Sequence, residues 1–206
     1  MLKKSLYIAG VIALLTGTLD ARGMQKEHGT HTKKQHENKH KTQKKRHHFD
    51  KHTLIDDVVN GEITEEQQAD LNYMIEEEKV ARDVYVALAQ TSKEKVFSNI
   101  TKSEQKHVDA LKGLFETYGI EVPVSLDEVG YFENETLQAM YNDLVAQGST
   151  SREDALEVGV IVEETDIEDI QKILDAGVPN DFEKVYTNLL KGSYNHLDAF
   201  NRQLAK

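Results

Sequence analysis

The sequence predicts an all-α protein whose main domain is a bundle of four long helices. Apolar residues recur at spacings of three and four over four long segments, which is the period of an amphipathic helix. Only two prolines occur in 206 residues, so long helices can run without interruption. Residues 120–150 separate the second and third long helices and contain a short helix at about 134–147, and a connection of this length can cross a bundle from end to end.

Charge divides the chain into two parts of opposite sign. Residues 1–52 hold 12 Lys and Arg against 4 Asp and Glu, a net charge of +8, whereas residues 53–206 hold 13 against 32, a net charge of −19. The acidic part contains all four long helices, and its charge should repel nucleic acid and attract cations. The chain has no cysteine, which excludes disulfides, thiolate metal ligands and cysteine nucleophiles.

Residues 1–21 have the pattern of an export signal. Lys3 and Lys4 precede an uncharged apolar run over residues 6–19, which is short for a membrane span. Ala21 is a candidate residue before a cleavage site, but the larger Leu19 stands where a second small residue is expected. A cleaved signal and an uncleaved anchor both remain open, and in either case we expect the body to be exported, with membrane contact only through this segment.

Residues 22–52 are predicted to be a disordered linker, because they are polar, basic and without apolar periodicity. They include seven of the nine histidines in the chain. A histidine-rich tract can bind divalent transition metals loosely. The alternative is a solvated spacer.

The first long helix is predicted over residues 64–90, opened by a Thr64–Gln67 capping box. Its core positions are Leu71, Met74, Glu78, Ala81, Tyr85 and Leu88. Glu78 thus stands in an otherwise apolar stripe. Two alternatives stay open: Glu78 forms a surface ion pair with Arg82, four residues on, or Glu77 is the inward carboxylate of a second stripe of nearly equal quality.

The second helix, about 92–118, carries Glu104-x-x-His107, which places both side chains on one face. Phe97, Ile100 and Leu111 share that face, so it should point into the core. A buried carboxylate and imidazole need a partner, and a metal ion is the obvious one. The alternative is a capping box at Thr101-x-x-Glu104, which the unbroken apolar phase disfavours.

The third helix is predicted from a Thr150-x-x-Glu153 capping box to about residue 176. Glu163 interrupts its apolar stripe, and Asp166 follows three residues later toward the same side. The alternative for Glu163 is an ordinary solvated acid, as we expect for its neighbour Glu164.

The fourth helix is predicted from an N-cap at Asn180 or Asp181 to about residue 204. His196 lies on its core stripe and is the second of the two histidines in residues 53–206, after His107. A single core histidine can also be a hydrogen-bonded structural residue. Ser193 stands three residues before His196.

Together these inward groups match the ferritin-like di-metal pattern, in which two helices each supply a Glu and the other two each supply Glu-x-x-His. The predicted metal ligands are Glu78, Glu104, His107, Glu163, His196 and Asp166. Ser193 departs from the pattern, because a Glu is expected there, and Asp166 is the candidate replacement. Iron suits this mixed ligand set, while manganese or another divalent metal is also compatible with it.

Several stretches resemble an uncharacterised group of bacterial and archaeal ferritin-like domains of unknown function. They are Glu77-Glu78-Lys79-Val80-Ala81-Arg82-Asp83-Val84-Tyr85, Ser98-Asn99-Ile100, Ser103-Glu104-Gln105-x-His107, Gln147-Gly148-Ser149, Ile161-Val162-Glu163-Glu164-x-Asp166-Ile167 and Asn195-His196-Leu197-x-Ala199-Phe200. The resemblance covers about residues 55–205. It implies a ferritin-like four-helix fold and no particular reaction.

Three functions follow from these observations. The first is an exported di-iron protein that oxidises iron or reduces oxygen or peroxide, with Tyr85 as a packing residue, a hydrogen-bond donor to the site or a radical site. The second is a non-catalytic metal-binding or buffering protein that uses the histidine-rich arm and the bundle. The third is a structural bundle with a degenerate metal site, which Ser193 favours. The sequence leaves the oligomeric state open.

Overall fold

A computed structural model describes residues 62–206, in which all regular secondary structure is helical. The five α-helices are α1 (Glu65–Ser92), α2 (Lys95–Tyr118), α3 (Glu135–Gly148), α4 (Arg152–Ala176) and α5 (Asn180–Leu204), with a 3-10 helix at Val124–Asp127. The all-α prediction is confirmed for this part of the chain. None of these helices combines the length and apolar character needed to cross a bilayer. The predicted signal or anchor (1–21) and the histidine-rich linker (22–52) lie outside the described residues.

The four long helices pack as two pairs. Helix α1 runs along α2, and α4 runs along α5. Contacts between α1 and α4 and between α2 and α5 join the two pairs. Helix α3 belongs to the connection between α2 and α4 and packs against α1 and α4.

Local signals place most helix ends close to their predicted positions. The Thr64 hydroxyl accepts a hydrogen bond from the Gln67 backbone, and the Gln67 side chain accepts one from the Thr64 backbone, so the predicted capping box is confirmed. Helix α1 continues to Ser92, past the predicted break at residues 90–92, and ends at Lys93, whose φ of 58° is left-handed. Gly119 ends α2 with a φ of 65°, a conformation that glycine adopts without steric cost.

Two predicted N-caps were wrong. Helix α4 is capped by Ser151, whose hydroxyl accepts from the Asp154 backbone at 3.0 Å, while the Thr150 hydroxyl donates to the Gln147 carbonyl. Ser151 has the extended backbone of an N-cap residue, and its hydroxyl oxygen therefore points at the first turn of α4. For this reason Ser151, and not Thr150, caps the helix. At α5 the N-cap position belongs to Pro179, with no side-chain cap, because Asn180 and Asp181 are already helical.

The core consists of two apolar clusters separated by a polar layer. One cluster contains the second half of α1 and the first half of α2, with residues such as Tyr85, Phe97, Leu156 and Phe200. The other contains the opposite halves, with residues such as Leu71, Leu111, Ile170 and Leu189. Between them, near the middle of each long helix, lie buried polar side chains: Glu77, Glu78, Glu104, His107, Glu163, Asp166, Ser193 and His196.

Charged residues of α1 also hold the connection that follows α2. Glu76 is 4% exposed, and its carboxylate accepts from the Ser125 hydroxyl at 2.6 Å and from the Glu133 and Asn134 backbones at 2.7 and 2.9 Å. Asn134 is the N-cap of α3, so the Glu76 carboxylate also lies at the positive end of that helix. Glu76 therefore ties both the 3-10 helix and α3 to α1.

One turn further along α1, a buried ion pair holds the same connection. The Lys79 ammonium lies 2.6 Å from the Asp83 carboxylate, with both side chains fully buried. Lys79 also donates to the Tyr131 carbonyl at 3.0 Å, and Asp83 accepts from the Gly130 backbone at 2.9 Å. The helix face opposite the core is thus covered by a segment that satisfies its charges.

Candidate metal centre

Five of the six predicted ligands converge in the polar layer. Glu78 comes from α1, Glu104 and His107 from α2, Glu163 from α4 and His196 from α5. They form two triads, Glu78–Glu104–His107 and Glu104–Glu163–His196, and within each triad three ligand atoms lie within 4.8 Å of one another. Glu104 belongs to both triads. The three carboxylates are 0% exposed and the two imidazoles 8%.

Glu104 lies between the two histidines. Its Oε2 atom is 2.8 Å from Nδ1 of His107, and its Oε1 atom is 2.7 Å from Nδ1 of His196. The two imidazole rings are stacked, with centroids 5.5 Å apart and planes inclined by 26°. One carboxylate thus presents one oxygen to each imidazole. Helix α2 runs through Thr101, whose hydroxyl donates to the Phe97 carbonyl, so the alternative capping box at Thr101 does not form.

Glu78 belongs to the His107 side. Its Oε2 atom lies 3.0 Å from Nδ1 of His107. The alternative surface pair with Arg82 does not form, because the Arg82 guanidinium contacts Asp83 and Gln105, each at 2.8 Å. Glu78, rather than Glu77, is therefore the α1 carboxylate of the triads.

Glu163 belongs to the His196 side. Its Oε2 atom lies 3.5 Å from Nδ1 of His196, and its Oε1 atom accepts a hydrogen bond from the Tyr85 hydroxyl at 2.6 Å. Tyr85 is fully buried, so this bond lies in a low-dielectric environment where it is strong. The alternative of a solvated Glu163 is wrong, whereas its neighbour Glu164 is exposed as expected.

The hydrogen-bond inventory fits a cation in each triad. An imidazole Nδ1 atom can make one hydrogen bond or one coordinate bond, yet two carboxylates flank each Nδ1 here. Glu78 Oε1 is buried without a hydrogen-bond partner, and the contacts of Glu104 Oε1, Glu104 Oε2 and Glu163 Oε2 with the imidazoles, at 2.7 to 3.5 Å, lack the geometry of hydrogen bonds. Such orphaned polar atoms are costly in a core, and a metal ion among them would satisfy both oxygen and nitrogen donors. The residues therefore fit a metal.

Without a metal, protons on the two histidines balance part of the negative charge of the carboxylates. Burial lowers the pKa of His107, but Glu78 and Glu104 outweigh that effect and raise it to about 11. Burial likewise lowers the pKa of His196, and Glu104 and Glu163 raise it to about 9. For Glu104 both effects have the opposite sign. Burial raises its pKa, but the two histidines outweigh burial and lower the pKa well below its usual range. A Glu104 anion between two imidazolium groups is the resulting charge pattern at neutral pH.

The sixth predicted ligand, Asp166, is buried in the same layer but joins neither triad. It is 1% exposed, and neither carboxylate oxygen has a hydrogen-bond partner. Burial raises its pKa well above the usual range, and the nearby Glu78 and Glu77 raise it further. On α5, the Ser193 hydroxyl donates to the Leu189 carbonyl of its own helix at 3.2 Å. Whether Asp166 replaces the carboxylate missing at Ser193 stays a prediction.

Sequence reasoning missed Gly192. A Cβ atom at this position would lie 2.5 Å from Nε2 of His107, so the bare backbone of α5 leaves room for the imidazole ring. The signal was available: a glycine inside a helix costs about 1 kcal/mol relative to alanine, and this one precedes the polar layer directly. Of the three roles predicted for Tyr85, the structure shows the hydrogen bond to the site, donated to Glu163.

These observations define an all-helical protein with two buried Glu/His clusters that could hold metal ions. The chain belongs to the family described as "Uncharacterized protein domain (DUF2202)", whose family model matches residues 67–206. The predicted resemblance to an uncharacterised domain family is confirmed at this level.

A similar protein is found in Methanocaldococcus jannaschii. The "Uncharacterized protein MJ0754" of Methanocaldococcus jannaschii is 46% identical over 142 residues, which span 69% of this chain and 77% of that protein. The crystal structure described as hypothetical protein MJ0754 from Methanococcus jannaschii DSM 2661 superimposes with a TM-score of 0.68 at 45% identity. The match covers 70% of this chain and 82% of that chain. The family match over residues 67–206 spans the part of the chain that carries the two triads.

Proposed function

We propose that α1, α2, α4 and α5 form a ferritin-like four-helix bundle that holds a pair of divalent metal ions, with iron the best-suited metal. The observation that carries this proposal is the shared position of Glu104, whose two oxygens face two histidines from different helices. A single structural salt bridge would need only one of these contacts. A carboxylate with one imidazole on each side is the arrangement that a two-metal site needs.

The two subsites differ in their ligands. The first consists of Glu78, Glu104 and His107, and the second of Glu104, Glu163 and His196. We infer that Asp166 supplies a further carboxylate beside Glu78, because its two buried oxygens have no hydrogen-bond partner. The protein then holds its metals with four carboxylates and two imidazoles, a set of hard and borderline donors that suits iron and manganese.

Iron bound at such a site would supply redox exchange with oxygen or peroxide. The residues of this chain bind and orient it. Tyr85 fixes the Glu163 carboxylate by its hydrogen bond, and such a bond from a neighbouring residue keeps a metal ligand in position. The two apolar clusters on either side keep the centre from bulk water, which strengthens every charge interaction within it. The reaction that we propose is oxidation of iron or reduction of oxygen or peroxide.

Ser193 favours a second candidate function, in which the protein binds or buffers metal without redox turnover. Its hydroxyl is engaged with the Leu189 carbonyl, so α5 contributes only His196 to the centre. A centre with one carboxylate fewer than the full pattern would retain metals and exchange them more easily. Both candidates need the same two triads and differ only in what happens after metal binding.

Metal content tests the proposed centre. We expect the full-length protein to retain two iron ions, and His107→Ala and His196→Ala each to lose at least one, because each histidine belongs to one triad. His52→Ala is the matched control, since it removes a histidine outside the helical domain and should leave the retained iron unchanged. Two retained ions in both triad variants, measured by elemental analysis after desalting, would contradict the proposal.

Stopped-flow absorbance separates the two candidate functions. The protein loaded with iron(II) is mixed with oxygenated or peroxide-containing buffer. Oxidation predicts a fast absorbance change that depends on the oxidant and disappears in Glu104→Gln, which removes the shared ligand. A trace that matches free iron(II) with either oxidant would leave metal buffering as the function.

A further inference from the structure

Of the five triad residues, all in the described helices, the two histidines are the ones that reach solvent. The side chains of Glu78, Glu104 and Glu163 are at most 1% exposed. Those of His107 and His196 are 11% and 10% exposed. A metal ion among the three carboxylates would therefore be separated from water by the two imidazole rings.

Both rings lie where α2 meets α5. His107 belongs to α2, and its Nε2 and Cε1 atoms lie against the backbone of Gly192 on α5, 2.5 and 2.6 Å from where a Cβ atom would be. His196 follows Gly192 by about one helical turn, and its ring stacks on the ring of His107. The partly exposed imidazoles thus form the wall of the centre at the interface between α2 and α5.

Other sides of the bundle are covered or closed. Helix α3 packs against α1 and α4. The connection that precedes α3 is held on α1 by Glu76 and Lys79. Between α1 and α2, the Arg82 guanidinium donates to the side chain of Gln105 at 2.8 Å. The interface between α2 and α5 is therefore the side on which solvent comes nearest to the triads.

Small side chains stand beside both imidazoles at this interface. Ala110 follows His107 by three residues, and Ala199 follows His196 by three. A helical side chain leans toward the N-terminus of its helix and covers the turn before its own Cα atom. The residue three positions after each histidine is thus placed to cover the ring, and alanine is too short to do so. Ala110 is exposed and Ala199 is half-buried.

We propose that divalent metal ions enter and leave the centre between α2 and α5, past the imidazoles of His107 and His196. Ala110 and Ala199 keep this route open. The observations that carry the route are the exposure of the two rings and the position of His107 against Gly192. The step is an exchange of ligands, in which water replaces the imidazole nitrogen on a departing ion without a change of oxidation state. This inference rests on the proposed function, because the route serves the proposed centre.

Ala110→Leu should slow both the loading and the release of metal without changing the affinity. A side chain that lies on the route and outside the centre raises the barrier equally in both directions, so the equilibrium stays the same. We expect both rates to fall by about tenfold for the ion beside His107, a barrier about 1.4 kcal/mol higher. Ala199→Leu should have the same effect on the ion beside His196. Ala110 is exposed, so its variant keeps the test valid if Ala199→Leu does not fold.

The full-length protein is loaded with iron(II) without oxygen, and release to an excess of a chromogenic iron(II) chelator is followed in time. The matched control is Ala146→Leu, the same substitution at an exposed position of α3, which should keep the wild-type rates. Unchanged rates in Ala110→Leu would overturn the route, as would equal slowing in the control or a loss of affinity without slower loading. A wild type that retains no iron would instead contradict the two-metal proposal.

Discussion

The imidazole of His107 lies directly against the backbone of Gly192: a Cβ atom there would be 2.5 Å from Nε2 and 2.6 Å from Cε1. Real contacts are never this short, so either the ring or the helix would have to move. The His107 side chain is held on its other edge by Glu78 and Glu104, at 3.0 and 2.8 Å. Two carboxylates therefore hold the Nδ1 edge of the imidazole, and the missing side chain of Gly192 leaves room for the opposite edge.

Replacing Gly192 with alanine should displace His107 from its triad. We expect Gly192→Ala to lose the metal of the Glu78–Glu104–His107 subsite and to keep that of the His196 subsite, measured as metal per protein. Gly113→Ala is the control, because Gly113 is an exposed helical glycine with open space around it. That change should stabilise the protein to urea by about 1 kcal/mol and leave metal binding intact. Full metal content in Gly192→Ala would show that the contact can relax.

Removing the shared carboxylate should cost more metal than removing either unshared one. Glu104 is in both triads, whereas Glu78 and Glu163 are in one each. We expect Glu104→Gln to lose both metal ions and Glu163→Gln to lose one, since an amide is a poor metal ligand in place of a carboxylate. Metal content after dialysis gives the comparison. Equal losses in the two variants would argue against a bridging role.

Tyr85→Phe should weaken the His196 subsite and spare the His107 subsite. The hydroxyl of Tyr85 holds Glu163 at 2.6 Å, and removing such a support to a ligand typically costs about tenfold or more in metal affinity. The control is Tyr194→Phe, which removes a hydroxyl from a side chain that is 52% exposed. Competition with a chelator measures the affinity of each subsite. An unchanged affinity in Tyr85→Phe would leave the hydroxyl with a packing role alone.

Metal binding should release protons. The pKa of His107 is raised to about 11 and that of His196 to about 9, so both imidazoles are protonated at pH 7 in the metal-free protein. Burial also raises the pKa of Glu78 to about 7 and that of Glu163 to about 8. A metal binds the neutral imidazole and the ionised carboxylate, so loading must expel the imidazolium protons and those held by the carboxyl groups, and affinity should rise about tenfold per pH unit for each proton released.

Calorimetric titrations in two buffers with different ionisation enthalpies count the protons released. A heat that does not depend on the buffer would contradict this charge pattern.

Asp83→Asn should strongly destabilise the fold. It breaks a fully buried pair and leaves the Lys79 ammonium without a counter-charge, a change that costs about 3 kcal/mol in other proteins. The control is Asp198→Asn, which breaks an exposed pair with Arg202 and should cost less than about 1 kcal/mol. Urea unfolding of both variants gives the comparison. Similar midpoints would mean that the connection does not depend on this pair.

The sequence predicted which residues form the triads better than it predicted how they are grouped and which residues lie beside them. Periodicity identified Glu78, Glu104 and Glu163 because each interrupts an apolar stripe, and the scarcity of histidine identified His107 and His196. Distances between helices are not contained in such a pattern, so the division of these ligands into two triads around Glu104 required the fold.

The acids beside Glu78 were harder to interpret. Periodicity on α1 gave two stripes of nearly equal quality, because the helix is buried on more than one side. Glu78, on the first stripe, belongs to a triad, and Glu77, on the second, is buried as well. The role of Glu76 could not be predicted, since its partners come from a connection 49 to 58 residues later in the chain.

Four consecutive charged residues, Glu76 to Lys79, are all buried, and each finds a different environment around the circumference of α1. A helix with a plain apolar stripe could rotate by a small angle and still bury the same surface. Helix α1 has no such freedom, because successive residues are separated by about 100° and each charge has its own neighbours. A one-residue insertion before Glu76 would separate all four charges from those neighbours at once. The rotation of α1 about its axis is thus fixed by these charges. The contacts of Glu76 and Lys79 with the connection after α2 therefore also fix the direction in which Glu78 points.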